Sequence, residues 1–300
     1  MRDFAELLVL GAVWGASFLF MRWSAADFGT LTLAWLRVSG GALFLLPILL
    51  WRQGRAPLVQ MQQLWRPMLF IGLVNSAAPF ALFAYALQHL PAGPASILNA
   101  TVPMWTALVA WVWIAQTPTA LRVLGLLLGF VGVVLLVNAR SAGVQAGELH
   151  LLGALACLLA TLNYAVAAIG TQRWLSGLSP LAVATGSQLA AAAWLLLPGV
   201  LAWPAQWPGG RAWLALLGLA GLCTGLAYLL YFRLFARVGP SKAVTVTFLI
   251  PLFAILWGAL FLGERLSPSM LGGGLLVLAG TALSLGLVKL REKPKPPAAP

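Results

Sequence analysis

Apolar residues fill this chain in long unbroken runs, separated by short polar or Gly/Pro-marked breaks. A bilayer core about 30 Å thick takes roughly 20 apolar residues per helix. Ten runs of that size fall at 5–24, 30–51, 67–88, 94–115, 119–138, 149–171, 178–200, 212–235, 240–262 and 268–289. The pattern predicts an all-α integral membrane protein with ten transmembrane helices. The runs lack the period-two alternation of a membrane β-barrel, which excludes that class.

The runs also repeat. Residues 91–117 (PAGPASILNATVPMWTALVAWVWIAQT) align with 239–265 (GPSKAVTVTFLIPLFAILWGALFLGER) at a shift of 148. Each copy opens on a Gly/Pro turn and carries a mid-span proline, Pro103 against Pro251. The frame extends downstream to Gly125/Gly273 and Gly132/Gly280, and upstream to Ser76/Thr224, Phe80/Tyr228 and Phe83/Tyr231. Residues 1–138 form one five-span repeat, 139–148 a short polar linker, and 149–289 the second repeat. Five is odd, so the second copy lies upside down relative to the first. Inverted repeats are a transporter architecture, with the solute site near mid-bilayer between the halves.

Composition agrees. Only 8% of residues are charged and 61% are hydrophobic, whereas a soluble protein needs roughly 25% charged residues for its surface. The net charge of +12 raises nucleic acid as a partner, but the basic residues are scattered between apolar runs, so no nucleic-acid partner is expected. With the N-terminus inside, Arg52, Arg55, Arg66, Arg233, Arg237, Lys242 and the basic, Pro-rich tail at 290–300 are cytoplasmic. Arg22, Arg140, Arg211 and Arg265 are outside. The positive-inside rule therefore puts both termini in the cytoplasm. Cys157 and Cys223 fall inside spans and mark no disulfide framework. The first run is a full span without a small-residue cleavage site, so no cleavable signal peptide is expected.

Candidate chemistry is sparse. Asp3, Glu6, Asp27, Glu148, Glu264 and Glu292 all sit at termini, loops or span ends, leaving no mid-membrane carboxylate for a proton or sodium ion. Arg37 is the one charge within a span, about 10 Å from the outer end by helical rise. It reads either as a snorkelling or carbonyl-capping arginine, or as a gate or substrate-carboxylate partner. Trp14 and Ser17 lie too deep for the interfacial belt, and Asn163 and Tyr164 hold a comparable depth in the sixth span. With Asn75, Ser76, Asn99, Trp105, Thr224, Tyr228 and Thr247 they fit the lining of a mostly apolar pocket with a few polar anchors. For each singly, core packing or an interhelical hydrogen bond is the plainer role, as it is for Gln188. Pro103 and Pro251 remove a backbone hydrogen bond, which makes them candidate hinges. The glycine-rich fifth and tenth spans read as scaffold or as a dimer surface, so a monomer and a homodimer fit equally. No HExxH, GxSxG, metal-spaced Cys/His set or GxxxxGK[ST] is present; no enzyme activity, cofactor or metal is expected.

Several of these residues resemble a known family. WGASF in the first span, Arg37, LPAGPASILNATVP and VGPSKAVTVTFLIPLFAILWGALFLGERLS are similar to the EamA-domain exporters of the drug/metabolite transporter superfamily. The GER at Gly263, Glu264 and Arg265 is the most specific mark; the first copy has Ala115, Gln116 and Thr117 there. The resemblance implies ten helices in two inverted repeats, a bacterial inner membrane, and export of amino acids or related small metabolites, with neutral and aromatic amino acids foremost. Without a buried carboxylate, facilitated diffusion by alternating access is the expected mode. The alternatives are a proton-coupled multidrug pump and, from another class, a non-transporting scaffold or enzyme subunit.

Overall fold

Gly29 and Gly54, both with positive φ, end the first two rods, α1 (Arg2–Phe28) and α2 (Thr30–Gln53). The computed structural model describes residues 2–138, 148–238, 245–265 and 267–287, and all regular structure among them is helical. The expected linker at 139–147, the turn at 239–244 with Lys242, and the tail lie outside the described residues.

The remaining elements follow in order. A short helix, α3 (Ala56–Gln63), occupies the loop expected at 52–66; Pro57 in its first turn starts it, and it exposes most of its side chains. The third run is α4 (Trp65–Gly72), a π-helical segment (Leu73–Ala77) and α5 (Ala78–His89). The fourth is α6 (Ala92–Asn99) and α7 (Val102–Ile114), broken at residues 100 and 101. Then come α8 (Ala120–Asn138), α9 (Glu148–Trp174) and α10 (Pro180–Leu201), the last capped by the Ser179 hydroxyl. The eighth run is α11 (Gly210–Leu217), a second π-helical segment (Gly218–Leu226) and α12 (Ala227–Val238). Finally come α13 (Val246–Leu262) and α14 (Pro268–Ser284). Among the described residues, eight helical stretches are long and apolar enough to cross a bilayer, and α13 and α14 are shorter apolar helices.

Two expectations change in detail. Runs three, four and eight are interrupted, where continuous helices were predicted. The two prolines are not equivalent bends either. Pro251 lies inside α13, but Pro103 sits in the first turn of α7, where its missing N–H has no partner to lose.

Helices pair across the two halves: α8 with α14, α2 with α10, α1 with α13, and α9 with α5 and α7. The α8–α14 seam shows why its glycines are glycines. A Cβ on Gly132 would stand 2.6 Å from the Val277 amide nitrogen and 2.7 Å from the Gly273 carbonyl; one on Gly125 would meet Gly280 O at 2.7 Å. Bare backbones approach this closely because dispersion, not water exclusion, holds helices together in lipid. A second correspondence is in the backbone. Ala115 and Gly263, 148 residues apart, are both left-handed, and in each case the next amide turns back on its helix, Gln116 N to Ala110 O (3.2 Å) and Glu264 N to Gly258 O (3.1 Å).

Forcing a branched side chain into the seam should therefore be costly. Gly132→Val is expected to lower unfolding stability by about 1–3 kcal/mol. Gly272→Ala, which points into open space, should change it little. Thermal unfolding of the detergent-purified variants, followed by tryptophan fluorescence, measures both.

Candidate functional site

The interruptions in the helices meet at one place. In a membrane interior a non-helical stretch must find its hydrogen bonds within the protein or a cavity. In the π-helical segment Gly218–Leu226 the Cys223 carbonyl accepts from Trp14 Nε1 (3.2 Å). The break after α6 is held by Thr101, whose hydroxyl donates to Leu98 O (2.7 Å), and by Thr281, which donates to Ala100 O (2.9 Å). The π-helical turn at Leu73–Ala77 presents Asn75 to the cavity, while Ser76, behind it, accepts from Gln188 Nε2 (2.8 Å).

Together these segments enclose a cavity of about 320 Å³. Its floor and walls come from α1 (Trp14, Ser17, Phe18, Met21), α2 (Arg37), α5 (Phe80, Phe83), the α6–α7 junction (Asn99, Val102) and α9 (Tyr164). The second half supplies Cys223, Thr224, Tyr228, Tyr231, Val246, Thr247 and Ile250. Five lining pairs stand 148 residues apart: Asn75/Cys223, Phe80/Tyr228, Phe83/Tyr231, Asn99/Thr247 and Val102/Ile250. The rings pack on one another, Phe83 on Tyr164 (6.2 Å between centroids) and Trp14 on Tyr231 (5.3 Å).

Arg37 is the charge in this cavity. Its residue is 6% exposed, which rules out snorkelling to the interface. Nε donates to the Thr224 hydroxyl at 3.2 Å, Nη1 reaches Met21 Sδ at 3.4 Å, and the guanidinium lies 3.7 Å above the Phe80 ring. The carboxylates are elsewhere. Asp3 and Glu6 pair with Arg233 and Arg237 at the end of the bundle where α1 begins (2.6–2.8 Å). At the opposite end Asp27 accepts from Gly209 N (3.0 Å), and Glu264 takes the N-terminal amides of α6, Ala92 N at 2.9 Å and Gly93 N at 3.4 Å. Gly258 leaves the space that the Glu264 carboxylate fills. No group of three or more metal-ligating side chains occurs among the described residues.

Of the residues singled out in the sequence, Trp14, Ser17, Arg37, Asn75, Asn99, Tyr164, Thr224, Tyr228 and Thr247 line this cavity. Two do not. Trp105 packs edge-on against Phe130 of α8, 5.3 Å between centroids; six residues of helix already turn it about 120° from Asn99. Asn163 is about 100° around α9 from Tyr164 and donates back to Leu159 O of its own helix (2.8 Å). Phe18, Met21, Phe80, Phe83, Cys223 and Tyr231 were not singled out as lining; the 148-residue frame already contained Phe80, Phe83 and Tyr231.

Comparison with known proteins yields a consistent set. The model of the EamA-like transporter family matches twice, at residues 4–138 and 151–286. The chain is 26% identical to the "Uncharacterized transporter YvbV" of Bacillus subtilis (strain 168), over 98% of this chain and 93% of that one. It is 27% identical to the "Uncharacterized inner membrane transporter YedA" of Escherichia coli (strain K12), over 97% and 93%. A solved crystal structure superposes with a TM-score of 0.67 at 22% identity, covering 95% of this chain and 97% of the other, which establishes a shared fold.

The bond from Glu264 to α6 joins the two halves at one end of the bundle. Glu264→Ala is expected to lower stability by about 0.5–2 kcal/mol, the usual cost of losing a helix N-terminal acceptor. Glu264→Gln should recover part of it. Thermal unfolding in detergent reads both.

Proposed function

Because the chain belongs to the EamA-like transporter family, we propose that it exports small metabolites carrying a carboxylate on an apolar or aromatic body, neutral and aromatic amino acids among them. It is a multi-pass membrane transporter rather than an enzyme, as its relatives are named. The observation that carries the solute class is the cavity: about 320 Å³, walled by aromatic rings, with Arg37 at one side and neutral anchors at Asn75, Asn99 and Thr247. Rings would hold the body, the anchors would orient it, and Arg37 would meet the carboxylate with a charge-assisted hydrogen bond.

The transport cycle in this reading is alternating access between two inverted five-helix repeats, ten membrane helices in all. The matched lining pairs and the twofold family match support it. Both termini face the cytoplasm of a bacterial inner membrane, so the Glu6–Arg233/Arg237 cluster closes the inner mouth and the Glu264–α6 bond the outer one. Solvation and release at each face then require one closure to part while the other holds. Pro251 supplies flexibility within α13, and the α6–α7 break with Pro103 supplies it in the first half. Flow follows the solute's own electrochemical gradient, since no Asp or Glu lines the cavity among the described residues.

Purified protein in liposomes, preloaded with a panel of amino acids and simple carboxylates, tests this directly. At least one panel member is expected to exchange, at a rate unchanged when an imposed pH gradient is collapsed by nigericin at zero potential. Arg37→Gln should slow that exchange about tenfold or more, as loss of a charged hydrogen bond implies. Exchange of no panel member would overturn the transport assignment; flux abolished with the pH gradient would overturn the uncoupled mechanism.

A further inference from the structure

We infer that the cavity selects solutes of net negative charge, small aromatic or aliphatic monocarboxylate anions without a charged amine, over the zwitterions of the same skeleton. The inference rests on the reading of the cavity as a transport site, and sharpens it.

The argument is an accounting of charge. A guanidinium stays protonated under any physiological condition and offers five N–H donors. Arg37 uses one on Thr224 and one on Met21, both uncharged and the second a weak sulfur acceptor. Three donors and the full positive charge have no protein acceptor or counter-ion among the described residues. Buried charges are ordinarily paired. The four acidic residues whose side chains are described are each engaged far from it, Asp3 and Glu6 with arginines, Asp27 and Glu264 with backbone amides. A bound carboxylate would complete this site. An ammonium brought in beside it would not find what it needs.

An ammonium brought beside a fixed guanidinium needs an anion to offset the added positive charge. The cavity provides no carboxylate among the described residues. Of the carbonyls where α6 ends, Ser96 and Ile97 are taken by the Ala100 amide, Leu98 by Thr101 and Ala100 by Thr281. The Asn99 carbonyl, which Pro103 four residues on cannot serve, and the Asn99 side-chain oxygen are acceptors too, but neutral ones that carry no charge to set against a cation. The Cys223 carbonyl accepts from Trp14, and the Phe80 ring is stacked on Arg37. Arg37 itself repels a second cation.

The same charge supplies a driving force. An anion leaving a negative cytoplasm moves down the membrane potential, which favours export by roughly 50-fold for each 100 mV. An uncoupled carrier of an anion can therefore concentrate its solute outside without any coupling carboxylate, whereas an uncoupled carrier of a zwitterion gains nothing from the potential. The lack of a membrane-embedded acid and the unpaired arginine become two sides of one design.

The test uses the full chain in proteoliposomes, with phenylpyruvate (anion), L-phenylalanine (zwitterion) and phenethylamine (cation) as probes; the first two share one carbon skeleton, and the third is the phenylalanine skeleton without its carboxyl carbon. Phenylpyruvate is expected to exchange at least tenfold faster than phenylalanine above protein-free vesicles, with phenethylamine not carried. Its net flux should rise with a valinomycin-set potassium potential that drives anions outward. Arg37→Lys should keep the order of preference at reduced rate and Arg37→Gln should abolish it. The potential dependence needs no variant, so a misfolded mutant does not spare the claim. Phenylalanine carried as fast as phenylpyruvate, or flux blind to the potential, overturns the anion selectivity while leaving the transport reading intact. Failure of all three probes while other panel solutes exchange overturns the selectivity for aromatic anions; failure of every solute overturns both.

Discussion

Lipid provides no hydrogen bonds, and that one constraint organises the molecule. Outside the cavity the helices run unbroken, or end on turns at the ends of the bundle. Within it, two π-helical segments and the α6–α7 break leave backbone groups that only the protein can satisfy. Trp14, Thr101 and Thr281 satisfy them. Irregular backbone in a membrane is tolerated where it is buried in protein or lines a cavity, so the cavity and the helix defects are a single feature. The same economy explains α8 and α14. They carry few hydrogen-bonding side chains, contribute Thr281 to the site, and pack glycine against glycine along their seam.

The two ends of the bundle are held by different chemistry. At one end Glu264 accepts directly from the amides of α6, with the Gly263 corner fixing its position through a left-handed turn. At the other, long arginine side chains reach from α12 to Asp3 and Glu6 on α1, with the Arg233 side chain 50% exposed. Exposed ion pairs contribute about 0–1 kcal/mol each, and water can replace them. A carboxylate on helix-terminal amides has less water to fall back on and is set in one geometry.

Much of this was legible in the residues. Depth along a span is simple arithmetic, and Trp14, Ser17, Arg37, Tyr164 and Thr224, which it sets deep in their spans, all line the cavity. Azimuth is harder. It depends on an unbroken helical count, and the count fails wherever the backbone changes pitch. Trp105 shares a span with Asn99, but six residues of helix turn it about 120° away, and it packs on Phe130 instead. Asn163 failed for the complementary reason: adjacent residues on one helix face different neighbours, and a back-bond to Leu159 satisfies an asparagine as well as a solute would. The π-helical turns left no mark in residue type. Their effect is visible only in three dimensions, as Asn75 facing inward while Ser76 faces Gln188.

The cavity combines matched and unmatched parts, and the division has a physical sense. Positions from α5, α6, α7, α12, α13 and the π-helical turns come in pairs 148 residues apart, Phe83 with Tyr231 and Asn99 with Thr247. Such a waist presents similar surfaces to either side, as a passage used from both ends needs. The charge is not matched. The position 148 residues beyond Arg37 is Thr185, buried in α10 and bonded to its own helix at Leu181 O, 2.8 Å away. A second arginine there would set two uncompensated cations in one low-dielectric space, each raising the cost of the other. With one, the charge breaks the equivalence of the two halves in a cavity whose other lining pairs are matched.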